Sequence, residues 1–251
     1  MVARILTRIV PAVAVGAAGL VAAQVLRAAH RPDLPTLDNQ DPSGRFGDPS
    51  SPLLKVAAMG DSSVTAPGVL LDNSWSRRVA RHLAEEYHVD LHSLAVGGSK
   101  AKDVIKTQLE SAISYQPELV LLAVGANDAL RGTPIKQFET SAEELLEALL
   151  PHTKAVLFAG VGDLGTIPRL SEPLRAMARM RGRAIDRAIA RVCERYDRVV
   201  KADAWEHPSW AIFSEQPDEA FAADGFHASD EGHRIFAQQA ISAIEDILHR
   251  L

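Results

Sequence analysis

The 251-residue chain is 47% hydrophobic and 24% charged, the composition of an ordinary globular protein. With its first fifty residues set aside, about 200 remain, enough for one domain with a buried core. A net charge of −5 removes the basic footprint that nucleic-acid binding needs, so no nucleic-acid partner is expected. The single cysteine, Cys193, excludes an intrachain disulfide. It shares an apolar helix face with Ile189, Val192 and Tyr196, which reads as a buried structural thiol.

The N-terminus differs in kind from the rest. Ile9 to Leu26 carries no charge and is flanked by Arg4, Arg8 and Arg27. As a helix it would span about 27 Å, close to a bilayer's hydrocarbon thickness. A membrane anchor fits that length. A cleaved signal peptide fits the basic start and the small residues Val21-Ala22-Ala23, while a buried helix of the domain would lack amphipathic periodicity. Residues 1–30 are therefore read as an anchor or signal segment. Membrane association through residues 9–26 and an extracytoplasmic place in the cell envelope are expected, although Arg27 and Arg31 nearly balance Arg4 and Arg8 as orientation signals. Residues 31–52 hold Pro32, Pro35, Pro42, Pro49 and Pro52 among Asp33, Asp38, Asp41 and Asp48. So little apolar area cannot offset the entropy of ordering, which predicts an extended linker.

From residue 53 to 251 strands and helices alternate. Leu54 to Met59 is a short apolar run ending at Gly60, and Asn73 or Ser74 then caps a helix carrying Trp75, Val79, Leu83 and Tyr87. Val89 to Val96 reads as a strand closed by Gly97-Gly98, and Lys102 to Tyr115 as a helix with Val104, Ile105, Leu109 and Ile113 inward. Leu119 to Val124 is the most apolar strand. Ile135 to Leu150 is helical and stops at Pro151, and Ala155 to Gly160 is a fourth strand. A long helix from about Glu172 to Tyr196 leads to a strand at Val199 to Ala202, and Ser229 caps a last helix running to about His249. Strands apolar on both faces and separated by helices predict an α/β fold: a three-layer, doubly wound parallel sheet of about five strands. In such sheets ligands sit beyond the carboxyl ends of the strands.

Polar motifs stand at those ends. Gly60-Asp61-Ser62-Ser63 comes after the first strand, where glycine permits a sharp turn and a serine can present its hydroxyl. Gly97-Gly98-Ser99 offers bare backbone N–H groups, and Gly125-Ala126-Asn127-Asp128 places an amide where negative charge could develop. Asp224-Gly225-Phe226-His227 lets a carboxylate meet an imidazole within one turn of chain. Each alone is ordinary turn or cap chemistry.

Together, in this order, they resemble the blocks of the SGNH, or GDSL-type, serine hydrolase superfamily. The resemblance covers residues 53–251 and implies a flavodoxin-like fold. It makes Ser62 the nucleophile, Asp224 and His227 its triad partners, and the N–H groups of Ser62 and Gly98 with the Asn127 amide the oxyanion hole. Asp61 and Asp128 would brace turns. Ala126 and Ala228 depart from residues common in the family without removing a functional group. Neither a metal nor an organic cofactor is implied.

The activity implied is hydrolysis of carboxylic esters of short-acyl, lipid or lysophospholipid type. A carbohydrate O-acetyl esterase of the envelope and a non-catalytic envelope-binding protein are the alternatives. Gly160-x-Gly162-x-x-Gly165 superficially matches a dinucleotide fingerprint, but Pro168 and Pro173 delay the helix that motif requires, so it is read as substrate rim. Arginines at 175, 179, 183, 187, 191 and 195 wind around one helix, as a solvated side or a surface for anionic lipid. Arg169 and Arg175 are the candidates for contacting an anionic substrate.

Overall fold

Among the residues described by a computed structural model of the chain (19, 21–28 and 30–247), one sheet runs in the order β1-β3-β2-β4-β5-β6. Its strands are β1 (Gly44–Phe46), β2 (Leu53–Gly60), β3 (His88–Ser93), β4 (Leu119–Ala123), β5 (Ala155–Ala159) and β6 (Val199–Ala202). The five strands from β2 onward are parallel, and β1 is an antiparallel edge on β3, with Arg45 opposite Asp90. The chain steps from β2 outward to β3 and then back across to β4. The strand order therefore reverses beside β2, and ligand crevices open at such switch points.

Side-chain alternation along the strands builds two cores. Ala57, Met59, Val120, Leu122, Val156 and Phe158 face one way. They are covered by α3 (Ala101–Thr107), α4 (Leu109–Tyr115), α6 (Ile135–Leu149) and α7 (Leu174–Cys193). Val56, Ala58, Leu119, Leu121 and Leu157 face the other way, under α2 (Trp75–Leu83) and α10 (Asp230–Glu245), which follows the short helices α8 (Ile212–Glu215) and α9 (Pro217–Ala220). Cys193 lies in the first core, where burial pushes its thiol up to about 12, so no thiolate forms near neutrality. The predicted helix over 102–115 is two helices meeting at Gln108, whose side chain turns inward to the end of β2. Later in the chain Ser229 caps α10 by accepting from Gly232 N–H at 3.2 Å.

Residues 31–52 differ from the expected linker, because their polar groups find partners on the domain. Gln40 donates its amide to the carbonyls of Ala66 and Val69 at 2.6 and 2.8 Å, and its N–H to Thr65 O at 2.8 Å. Asn39 accepts from the Thr65 hydroxyl, Ser43 accepts from Ser93 N–H, and β1 completes the edge. Backbone pairing supplies what an apolar core could not.

Helical residues 21–28 lie against the domain through Gln24, which donates to Glu172 O, and Ala28, whose carbonyl accepts from Arg169. Residues 1–18, the greater part of the uncharged segment, lie outside the described residues. Among those described, no helix is long and apolar enough to cross a membrane. The arginine series on α7 largely serves the protein itself. Arg179, Arg183, Arg191 and Arg195 pair with Asp163, Glu206, Glu139 and Glu143. That pairing favours the solvated-side reading over a lipid-facing one.

Candidate active site

At the end of β2 the backbone must turn against its neighbour β4. Gly60 has φ +137°, and a Cβ there would lie 1.8 Å from Ala123 O, so only glycine fits. Its own N–H and C=O are both taken by the buried Gln108 amide, each at 2.8 Å. Replacing that amide with an apolar group would leave the buried Gly60 N–H without its acceptor, at about 1–3 kcal/mol, while Gly60 O keeps the Val96 N–H at 3.1 Å. Gln108 is a positioning residue that sequence reasoning missed. Its only signal is a polar side chain at an inward position between Val104 and Ala112.

Past the turn, α1 (Ser62–Thr65) opens with Asp61 as its cap. The Asp61 Oδ1 accepts from Ser63 N–H and Ser63 Oγ, both at 2.9 Å, and its Oδ2 accepts from Asn127 Nδ2 at 3.1 Å. Burial raises the Asp61 carboxyl, and these donors oppose the rise. Ser63 is thereby occupied. Ser62 is the serine that borders both cavities at the strand ends.

Asn127 lies on α5 (Ala126–Leu130), directly after β4. Its neighbour Asp128 accepts from Ala101 N–H at 2.9 Å and so fastens the third motif to the loop holding the second. Burial raises the Asp128 carboxyl as well. Both aspartates brace turns, as the sequence implied. Gly98 has φ +80° and lies beside Asn127 on the cleft wall.

The Asp224–His227 pair sits in a loop closed by an antiparallel bridge between Phe221 and Ala228. Asp224 Oδ2 is 2.6 Å from His227 Nδ1, and Oδ1 accepts from the N–H groups of Phe226 and His227 at 2.9 and 3.0 Å. Burial alone would raise the Asp224 carboxyl, but the His227 ring and these N–H groups outweigh it and hold it below the usual range. An ionised carboxylate only accepts, so Nδ1 carries the hydrogen and Nε2 is left as the base. Phe226 packs edge-on against the ring, with centroids 5.1 Å apart.

Ser62 and His227 border two cavities at once. One, of about 180 Å³, runs beneath the strand ends between Val161 and the aromatic side chains of Trp210, Phe213 and Phe236. The other, of about 570 Å³, is an open cleft that includes Gly98, Asn127 and, from the N-terminal segment, Val25, Leu37 and Asn39. Gly160 and Gly162 line the first cavity, and α7 opens only at Leu174, so no helix begins at those glycines. Arg169 reaches the open cleft, whereas Arg175 donates to Leu170 O instead. His233, the nearest other histidine, is buried, accepts from Trp75 N–H at 3.2 Å and is pushed down to about 3 by burial, a structural role. Among the described residues, no group of three or more His, Cys, Asp or Glu side chains is placed to hold a metal ion.

Known proteins resemble this chain in sequence and in fold. A GDSL-like esterase of Mycobacterium tuberculosis is 28% identical over 204 residues, which cover 75% of this chain and 61% of that protein's length. Among solved structures, the psychrotrophic esterase EstA of a Pseudoalteromonas species superposes with a TM-score of 0.59 at 15% identity, covering 78% of this chain and 98% of its own. The acetylxylan esterase Axe2 of Geobacillus stearothermophilus gives 0.57 at 19%, covering 79% and 95%. These two share the fold. The family model of the GDSL-like lipase/acylhydrolases matches residues 58–235, from within β2 to within α10, and so spans all four motifs. The chain belongs to the GDSL-like lipase/acylhydrolase family.

Proposed function

We propose that this protein is a serine esterase that cleaves esters of short acyl chains through an acyl-enzyme. The observation that carries the reading is the 2.6 Å Asp224–His227 bond, with His227 facing the same two cavities as Ser62.

His227 Nε2 takes the Ser62 hydroxyl proton as Oγ bonds to the ester carbonyl carbon. The carbonyl oxygen becomes an oxyanion, met by the N–H groups of Ser62 and Gly98 and by Asn127 Nδ2, whose direction is set by buried Asp61. Collapse breaks the carbon–oxygen bond to the alcohol, which leaves with the proton from His227. Water then repeats the sequence: its proton goes to His227, its oxygen bonds to the acyl carbon, and Ser62 departs with the proton.

The smaller, mostly apolar cavity of about 180 Å³ suits a short apolar acyl group, and the larger cleft suits the alcohol half. Association with the cell envelope rests on the composition of residues 9–26. A fluorophosphonate probe tests the nucleophile. It is expected to label the full chain at one residue, and Ser62→Ala is expected to abolish both labelling and ester turnover while the far-UV circular dichroism stays as in the wild type. Labelling at Ser63 or Ser99 would refute the assignment.

A further inference from the structure

The molecule is acidic overall, yet among the described residues no aspartate or glutamate lines the open cleft, while Arg131, Arg169 and Arg181 do. Two of these are fastened to backbone carbonyls: Arg181 donates to Ala129 O at 2.7 Å and Thr133 O at 2.5 Å, and Arg169 to Ala28 O at 2.5 Å. For Arg181 a carbonyl satisfies an N–H group without cancelling the charge, whereas the Arg169 charge also acts on Asp33. Arg131 is different, for among the described residues its exposed guanidinium has neither an ion pair nor a hydrogen-bond acceptor.

Its position is set by the helix that carries the oxyanion amide. Arg131 N–H donates to Asn127 O at 3.0 Å, so the two residues are one turn apart and share a face. The guanidinium lies over the second motif: a Cβ built on Gly98 would be 3.2 Å from Arg131 Nη2. A cation unpaired among the described residues thus stands next to two proposed oxyanion-hole residues, bordering the open cleft and not the apolar acyl cavity.

We infer that the open cleft recognises an anionic group carried on the alcohol half of the ester, with Arg131 as the specificity-determining residue. This rests on the esterase reading above and adds the charge of the leaving group to it. Arg131 bonds the anion in the Michaelis complex and takes no part in the proton transfers. Because it is exposed, its effect is screened by salt.

The test compares kcat/KM of the full chain on 4-acetoxybenzoate and 4-acetoxybenzamide, whose leaving phenols match in shape and differ in charge. The carboxylate ester is expected to be preferred by about tenfold, the scale of one hydrogen bond to a charged group. That ratio is expected to fall toward one in Arg131→Gln, to survive in part in Arg131→Lys, and to shrink as salt is added. A ratio near one in the wild type, or one unchanged in Arg131→Gln, overturns the proposal. Phenyl hydrogen succinate against phenyl butyrate moves the carboxylate to the acid half, where no preference is expected; a preference there instead also overturns it. If both acetates are cleaved equally, only the anion subsite fails. If neither is cleaved and the fluorophosphonate does not label Ser62, the esterase reading fails and takes the subsite with it.

Discussion

Asp224 accepts three hydrogen bonds from one loop, and two of them come from backbone N–H groups that would remain after the His227 ring is removed. The carboxylate therefore shapes the loop as well as orienting the imidazole. Asp224→Asn is expected to slow turnover by up to about 10⁴-fold, because the ring loses both its fixed tautomer and the charge that stabilises its protonated form. His227→Ala is expected to be at least as damaging. The double variant should be little slower than His227→Ala alone, since residues acting as one unit do not contribute additively. Steady-state kinetics on a neutral aryl ester checks this, and multiplicative losses would mean that the two side chains act independently. His233 offers no second base, being buried and already accepting from the backbone.

At the scale of elements, residues 39–46 bear on the site because they hold the short helix of the nucleophile and the turn after it. Gln40 and Asn39 tie down Thr65, Ala66 and Val69, and Asn39 crowds Gly97 so closely that a Cβ there would meet its amide at 2.2 Å. Phe46 adds apolar cover to the core beneath the guanidinium of Arg77, 5.0 Å from its ring centroid. A chain beginning at Ser51 is therefore expected to be less stable than one beginning at His30, by on the order of 3 kcal/mol. That figure corresponds to a few hydrogen bonds at about 1 kcal/mol each. The shorter chain should also show a lower kcat/KM, as Ser62 loses the support behind its helix. Urea denaturation of the two chains and one soluble ester decide it, and equal midpoints would restore the linker reading.

For the whole molecule, pH acts through a histidine that the fold keeps neutral. Burial holds His233 at about 3, against an ordinary value of about 6.5. Between those values the unfolded chain binds a proton that the folded chain excludes. The stabilisation is therefore complete above about pH 6.5 and is lost as pH falls through the window, by up to about 1.4 kcal/mol per pH unit. His233→Asn keeps an acceptor for Trp75 N–H but cannot titrate. Its Tm is expected to decline less steeply than the wild type's between pH 6.5 and 4, measured by calorimetry. Parallel slopes would show that His233 carries no part of the acid sensitivity.

The sequence by itself determined the class of fold and the proposed site residues. Short runs apolar on both faces in Leu53–Gly60 and Leu119–Ala123, and the apolar stripes of the helices, are local physics. They force a sheet covered on both faces, with Ser62 and Asn127 at neighbouring strand ends. The four motifs were legible for the same reason, since each is a short run whose backbone demands and functional groups lie together in the chain. Three things were decided only by the tertiary structure. Gln108 is a positioning residue because β2 passes beside it, 48 residues earlier in the chain. Residues 39–46 are ordered by backbone partners on Thr65 to Val69 and on β3, and composition cannot foresee such partners. The charge of the open cleft is set by which arginines find acids and which do not. Along α7 and in the turn after it four are neutralised by residues 16 or more positions away in sequence, while Arg131 is left facing the site. Hydrogen bonds and ion pairs are short-ranged in space and indifferent to separation along the chain, so only the folded arrangement shows where they fall.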